Sequence, residues 1–370
     1  MPGPVLIAPD KFKGSLTAPG VADALAAGMP GIEVRRTPVA DGGDGTVQAA
    51  LAAGYKSVPV RVTGPVGTPI GTEIAVQGDT AVIELAGASG LALLPQRELA
   101  PMTASSFGTG ELVRAALDAG ARKIVIGVGG SACTDGGAGM IAALGARLLA
   151  DAGKPLPPGG GGLVELASVD LGGLDPRVAE AEITLASDVD NPLLGEHGAA
   201  HVYGPQKGAD PTQVRLLDSA LKSWSRAVTR AGGEDVAQQE GAGAAGGVGY
   251  AAMAVLGARQ RSGADLVLEL VGFDSALPGS ALVITGEGAL DEQTLHGKAP
   301  SVVAGRAAAA GVPVVAVAGR CVLTPERLRE AGFADVHALT DIEPDPQRCI
   351  RDAASLLPEL ARRIAANWLG

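Results

Sequence analysis

Along this chain, short apolar runs end in a glycine or a carboxylate and give way to stretches whose apolar residues recur three and four apart. "VLIAPD" from Val5 leads into "KFKGSLTAPGVADALAAGM", and "EVRRTPVA" leads into "DGGDGTVQAALAAG". "KIVIGVGG" precedes "SACTDGGAGMIAALGA", and "EITLAS" precedes "DVDNPLLG". Towards the end, "ALVITGEG", "VPVVAVAGR" and "ADVHALT" are each followed by a helix-like pattern. A short aliphatic run of this kind is a buried strand, and the period that follows it is helical. Strands alternating with helices imply mainly parallel sheets in an α/β fold.

Two stretches interrupt that rhythm. From about Arg61 to Gly90, apolar residues alternate with turn residues and leave no room for a helix, which predicts a small β meander. "DAGKPLPPGGGGLVELASV" from Asp151 is a proline and glycine loop. Regular ends and an irregular middle predict a middle segment inserted into, or appended to, a domain formed by both termini. No internal repeat of the solenoid kind is visible.

Composition narrows the partners. The chain has 370 residues, long enough for two domains, with 40 acidic against 29 basic side chains and a net charge of −11. That balance argues against nucleic acid and anionic membranes, both of which require a basic footprint. Only 2% of residues are aromatic against 46% hydrophobic in all, so aliphatic side chains and alanine must fill the core. Cys133, Cys321 and Cys349 lack metal or disulfide spacing, which suits a reducing cytosol. The opening "MPGPVLIAPDKFKGS" predicts no signal peptide, and the uncharged stretch from Gly241 is too rich in glycine and alanine to span a bilayer.

The chemistry collects at strand ends. Asp10, Lys11 and Lys13 follow the first predicted strand, and Asp41 and Asp44 follow the second. Ser131 and Asp135 follow "KIVIGVGG", Asp188, Asp190 and Asn191 follow "EITLAS", and Glu287 and Asp291 follow "ALVITGEG". Open α/β sheets bind ligands just beyond the carboxyl ends of their strands, so these five turns read as one cleft.

In "GVGGSACTDGG" the glycines admit a ligand close to the backbone and a helix start favours negative charge, which makes a phosphate the expected guest. Gly127, Gly129 and Ala132 also fit a dinucleotide fingerprint, with Asp151 about where the ribose-binding acid belongs. Against that, Asp135 puts a carboxylate where a pyrophosphate would lie, and a plain strand turn without ligand is the third reading. No GxxxxGK[ST] loop is present, since Gly297-Lys298 is followed by Ala299 and position 292 is Glu. Protein-kinase and hydrolase signatures are absent as well.

Asp188, Asp190 and Asn191 suit Mg²⁺ or a general base, or else an Asx turn before Pro192. Asp41 and Asp44 equally suit a helix cap and first turn. "GEGALDEQTLHGKAP" gathers Glu287, Asp291, Gln293, Thr294 and Lys298, more polar groups than one capping turn requires. Lysine at a helix start opposes the helix dipole unless an anion sits there, which marks Lys298, and also Lys11 and Lys13, as anion ligands; Lys207 is a further candidate. His197 and His201 have the spacing of helical zinc ligands, but three nearby glycines and the lack of a third ligand favour surface histidines.

"APDKFKGSLTA", "ADGGDGT", "GVGGSACTDGGAGM", "SDVDNPLLG", "GPQKGA", "GAGAAGG" and "GEGALDEQTLHGK", in this order, resemble the bacterial glycerate kinases of the two-domain, P-loop-free type, from about residue 4 to the C-terminus. The resemblance implies ATP-dependent phosphorylation of D-glycerate, with 2-phosphoglycerate the usual product and 3-phosphoglycerate that of others. It implies a flavodoxin-like parallel-sheet domain from residues 1–63 and 282–370, and an inserted α/β domain with a mixed, restriction-endonuclease-like sheet over 64–281. Four positions depart from the family pattern: Cys133 and Thr134 stand for a hydroxyl and an amide, Asp44 for Glu, and Ser187 for Cys.

Phosphoryl transfer requires positioning and charge shielding more than covalent help. On this resemblance, Gly129, Gly130, Ser131, Asp135, Gly136 and Gly137, with Thr294 and Lys298 or Lys13, would hold ATP. Mg²⁺ would be shared by ATP with Asp188, Asp190, Glu287 or Asp291. Asp190 is favoured to accept the acceptor's proton. Lys11, Ser131 or Lys207 would hold the glycerate carboxylate, with Asp10, Asp41, Asp44, Asn191 and Gln293 around the substrate, in a cleft that closes against water. An NAD-dependent oxidoreductase and a non-catalytic binding protein for phosphorylated acids are the alternatives.

Overall fold

The structure, a computed structural model, describes residues 3–370. In chain order its strands are β1 (Val5–Pro9), β2 (Val34–Arg36), β3 (Lys56–Thr63), β4 (Pro69–Gln77), β5 (Thr80–Glu84), β6 (Lys123–Gly127), β7 (Arg147–Leu149), β8 (Ser168–Asp170), β9 (Glu182–Ala186), β10 (Arg259–Arg261), β11 (Leu282–Leu290), β12 (Val314–Cys321) and β13 (Asp335–Ala338). The chain divides into two units. One comprises residues 1–41, 48–55 and 262–370, and the other 42–47 and 56–261. The sequence reading set its cuts at 63/64 and 281/282. The eight residues of β3 instead pair wholly with β4, and the helix Gly263–Leu270 packs with the first unit.

The first unit is a five-stranded, all-parallel sheet in the order β13-β12-β11-β1-β2. Numbered within this unit alone, that is the 2-1-3-4-5 order of flavodoxin-like folds, with its switch point between β1 and β11. Both faces of its three central strands, β12, β11 and β1, are covered, so these carry apolar runs without alternation. Val5 and Ile7 pack on one side with Val21, Leu25, Leu357, Leu360 and Ile364. Leu6 and Ala8 pack on the other with Leu268, Val303 and Ala307. In the helix Ala18–Ala27 the buried residues Ala18, Val21, Ala22 and Leu25 mark one stripe, and the Thr17 side chain caps its start by accepting from Gly20 N. Lys11 and Lys13 therefore stand in the preceding turn, closed by a Phe12–Leu16 bridge, and not at the helix start.

The second unit is built on a six-stranded mixed sheet, β10-β9-β6-β5-β4-β3. The pairs from β10 to β5 are parallel, and β5-β4-β3 is the antiparallel meander that the alternation between Arg61 and Gly90 predicts, begun five residues earlier. The helices Phe107–Asp118, Pro211–Arg230 and Ala244–Leu256 supply much of its core. Pro211–Arg230 starts with a full capping box between Asp210 and Gln213. Aliphatic and alanine side chains do most of the filling, with Trp224 and Tyr250 the largest buried aromatics.

Candidate active site

In the first unit the charged residues meet at the switch point. β1 ends at Pro9 opposite Gly286 of β11, and the Asp10 amide continues that ladder by donating to Gly286 O at 2.8 Å. Past β2 the chain still tracks β1, Thr37 donating to Ile7 O and Val39 to Pro9 O, and so delivers Asp41 beside them. Asp10, Asp41 and Glu287 thus stand at the carboxyl ends of three adjacent strands. Asp10 is 5% exposed, and burial pushes its carboxyl up to about 7, with the Asp41 and Glu287 charges adding to the rise and Lys11 opposing it. Lys11 Nζ lies 3.7 Å from Asp10 Oδ1. Glu287 is also raised, mainly by burial, although the Thr294 hydroxyl at 2.7 Å and Lys298 Nζ at 3.5 Å both favour its charged form.

"DEQTLHGK" lies beyond β11 because a capping turn fixes it there. Asp291 accepts from Gln293 N at 2.9 Å, and Asp291 N donates to Thr294 Oγ1 at 3.1 Å. Asp291 and Thr294 thus have structural work of their own. Gln293 and Lys13 are exposed. Lys298 is the N-cap of the helix Ala299–Ala309 and makes no side-chain cap bond, so a cation stands at that helix start, with the Glu287 carboxylate 3.5 Å away as its counter-charge.

In the second unit the glycine loop follows β6, but it is not an open cradle. Asp135, 1% exposed, accepts from Ser106 N (2.8 Å), Ser106 Oγ (2.9 Å), Gly137 N (3.1 Å), Gly139 N (3.2 Å) and Ser105 Oγ (3.3 Å). Gly136 N donates to Gly246 O, and Trp224 Nε1 donates to Gly136 O, both at 3.0 Å. Where the sequence expects Asp135, Gly136 and Gly137 to face a nucleotide phosphate, the structure has the Asp135 carboxylate turned into the protein, the Gly137 amide bonded to it and the Gly136 amide bonded to Gly246 O. The same contacts answer the dinucleotide reading, since no free helix start remains for a pyrophosphate. Gly129 and Gly130 keep surface exposure, and Ser131 lies at their edge, 6% exposed.

Lys207 is buried beneath this loop and donates to Ser131 Oγ at 2.8 Å and to Cys133 O at 2.6 Å. Above it run Ala245, Gly246 and Gly247 with φ of 54°, 72° and 91°. Glycine tolerates that backbone and alanine does not readily, so Ala245 is held in a strained conformation by its surroundings. Asp44 belongs to the segment 42–47, which packs here: a Cβ on Gly127 would lie 2.6 Å from Gly42 O, and Val47 N donates to Glu84 at 2.5 Å. Asp188 and Asp190 are exposed beyond β9. Asn191 is fixed by Tyr203 Oη at 2.5 Å and by its own amide on His197 O at 2.9 Å, and the Asp190 charge helps burial raise the Tyr203 hydroxyl. Sequence reasoning missed Ser105, Ser106 and Glu84; the paired hydroxyls in "ASSFGTG" were the visible signal for the first two.

Fold and site together define a two-unit α/β protein whose chemical side chains stand at strand carboxyl ends, without a nucleotide P-loop. The chain belongs to the glycerate kinase family, which it matches over residues 5–369. It is 44% identical to a glycerate kinase of Bacillus subtilis (strain 168), over 98% of this chain and 97% of that one. Identity is also 44% to a glycerate 2-kinase of Escherichia coli (strain K12), with the same coverage. A crystal structure described as that of a glycerate kinase 2 from Salmonella typhimurium LT2 matches with a TM-score of 0.85 and 41% identity, covering 99% of this chain and 98% of the other.

Proposed function

We propose that this protein transfers the γ-phosphoryl group of ATP to the 2-hydroxyl of D-glycerate, giving 2-phospho-D-glycerate and ADP as a cytoplasmic enzyme of small organic acids. The observation that carries the reading is near-full-length relationship to glycerate kinases, one of them a 2-kinase, on a chain whose carboxylates and lysines stand where α/β sheets bind ligands. D-glycerate 3-kinase activity is the second reading. No helix among the described residues is long and apolar enough to cross a membrane, and the three cysteines are free.

The donor set fits Mg²⁺. Among the described residues no three His, Cys, Asp or Glu side chains form a cage, but Mg²⁺ takes few protein ligands and completes its shell with water and phosphate oxygens. Burial and mutual repulsion raise the proton affinity of Asp10 and Glu287, a sign of surplus negative charge that a divalent cation relieves. Glu287 and Asp291 in the first unit, or Asp188 and Asp190 in the second, are the carboxylates that would hold it. When bound, Mg²⁺ neutralises charge on the phosphate oxygens. Lys298, Lys11 and Lys13 offset further charge, with Thr294 fixing Glu287 in place. Gly129, Gly130 and Ser131 remain the loop's candidates for phosphate or acceptor. Asp10, Asp41 and Gln293 in the first unit, and Asp44, Lys207 and Asn191 in the second, are the candidates for the substrate-binding surroundings.

The test is incubation with ATP, Mg²⁺ and D-glycerate, following ADP release and identifying the product by ³¹P NMR. A phosphorus signal coupled to the C2 proton supports the 2-kinase, and coupling to the C3 methylene would make the protein a 3-kinase. No glycerate-dependent ADP across metal and pH variation would overturn both.

A further inference from the structure

Lys207 is among the largest fully buried side chains of the protein. Ser131 Oγ and Cys133 O are its only polar partners among the described residues. The titratable groups that face it are Cys133 and Asp135. Burial drives the Cys133 thiol far up, so it stays protonated and supplies no counter-charge. The Asp135 charge is already shared among donors from Ser105, Ser106, Gly137 and Gly139. An ammonium in such a place has lost its water without gaining an ion pair, and burial accordingly lowers the proton affinity of Lys207.

The hydrogen-bond inventory accommodates a neutral amine. A carbonyl only accepts, so one N–H of Lys207 belongs to Cys133 O. A neutral amine keeps a lone pair, to which the Ser131 hydroxyl can donate across the observed 2.8 Å. The Gly246 backbone closes the remaining side, since a Cβ there would stand 2.9 Å from Nζ and 2.2 Å from Cys133 O. Of the two partners Cys133 is fully buried and Ser131 keeps 6% exposure, so it is Ser131 that connects this amine towards the surface.

We propose that Ser131 and Lys207 form a proton relay for the phosphoryl acceptor, with Ser131 touching the glycerate hydroxyl and Lys207 holding the proton behind it. This rests on the kinase reading above. As the acceptor oxygen bonds to the γ-phosphorus and the bond to the ADP oxygen breaks, the acceptor's proton passes to Ser131 Oγ. The Ser131 proton passes to Lys207 Nζ, which becomes an ammonium. ADP leaves with the bonding pair, and Lys207 returns its proton to solvent before the next turnover. Asp190, favoured as base from sequence alone, is then left to charge shielding.

Three measurements test the relay. In protein labelled with ¹³C at lysine Cε, the signal missing from Lys207→Met should report a neutral amine at pH 7; a charged one overturns the relay whether or not the protein is a kinase. In the wild type, kcat/KM for glycerate at saturating MgATP should fall on the acid side, through an inflection well below that of ordinary lysine. Lys207→Met should lower kcat about 10²-fold or more, leave KM for glycerate within a few-fold, and abolish that inflection. Ser131→Ala should do the same and Ser131→Thr should restore it, which keeps the test open if Lys207→Met fails to fold. If Lys207→Met raises KM and keeps the inflection, or if Asp190→Asn is the variant that removes it, the relay is wrong. Absence of glycerate-dependent ADP release in the wild type would instead overturn the kinase reading and the relay with it.

Discussion

Asp135 shows how one buried carboxylate can organise a loop that looks, in sequence, built for a ligand. Removing it in Asp135→Ala strands the amides of Ser106, Gly137 and Gly139 and should cost about 3 kcal/mol, read from urea unfolding. Gly246→Ala places a Cβ 2.2 Å from Cys133 O at φ 72° and should lower the unfolding midpoint clearly, whereas Gly31→Ala, also left-handed but in open space, should cost only the backbone strain of about 1 kcal/mol. Asp10 titrates with the opposite sign to most carboxylates. Its folded value, about 7, lies above the unfolded 3.8, so the folded state holds the proton more tightly. The stability it contributes is complete below about pH 4 and is lost as pH rises to about 7. Asp10→Asn should therefore raise the melting temperature at pH 8 and change it little at pH 4; equal shifts at both would refute the buried titration. The sequence marked Asp10 and Asp135 as polar residues at strand ends, but it assigned Asp135 to the nucleotide because three of its five donors come from Ser105 and Ser106, out of reach of any local pattern.

At the scale of elements, caps separate structure from chemistry. Helices at Ala18, Pro211 and Pro325 are each preceded by a Thr or Asp whose side chain accepts from their first turn. Ala299–Ala309 begins instead on Lys298, which gives no cap bond and sets a positive charge against the positive end of the dipole. Lys298→Ser should stabilise the protein by about 0.5–1 kcal/mol through a new cap while raising KM for ATP. A loss of stability, or an unchanged KM, would remove Lys298 from the anion-binding set. This anomaly was legible from "HGKAP" alone, because helix starts are local. The misplacement of Lys11 and Lys13 at a helix start was a local error of the same kind: Thr17 was available as the cap six residues after Lys11.

For the whole molecule, a charge of −11 repels a polyanion such as heparin; the protein should pass through a heparin column unbound at physiological salt, and binding would contradict the small-molecule reading. The amino-acid sequence by itself determined the α/β class, the antiparallel meander, the order of motifs and the strand ends at which the polar residues stand, since each depends on residues a few positions apart. Only tertiary structure decided the rest. The 2-1-3-4-5 order that brings Asp10 and Glu287 to adjacent strands joins residues 277 positions apart, and the burial that raises Asp10 comes from packing on both faces of that sheet. Lys207 read as a candidate anion ligand in "GPQKGAD", because a lysine in a glycine-bounded turn gives no local sign of burial. Its amine is covered by loops from Ser131 and Gly246, and solvent exclusion, a property of the assembled fold, is what turns a point charge into a candidate base.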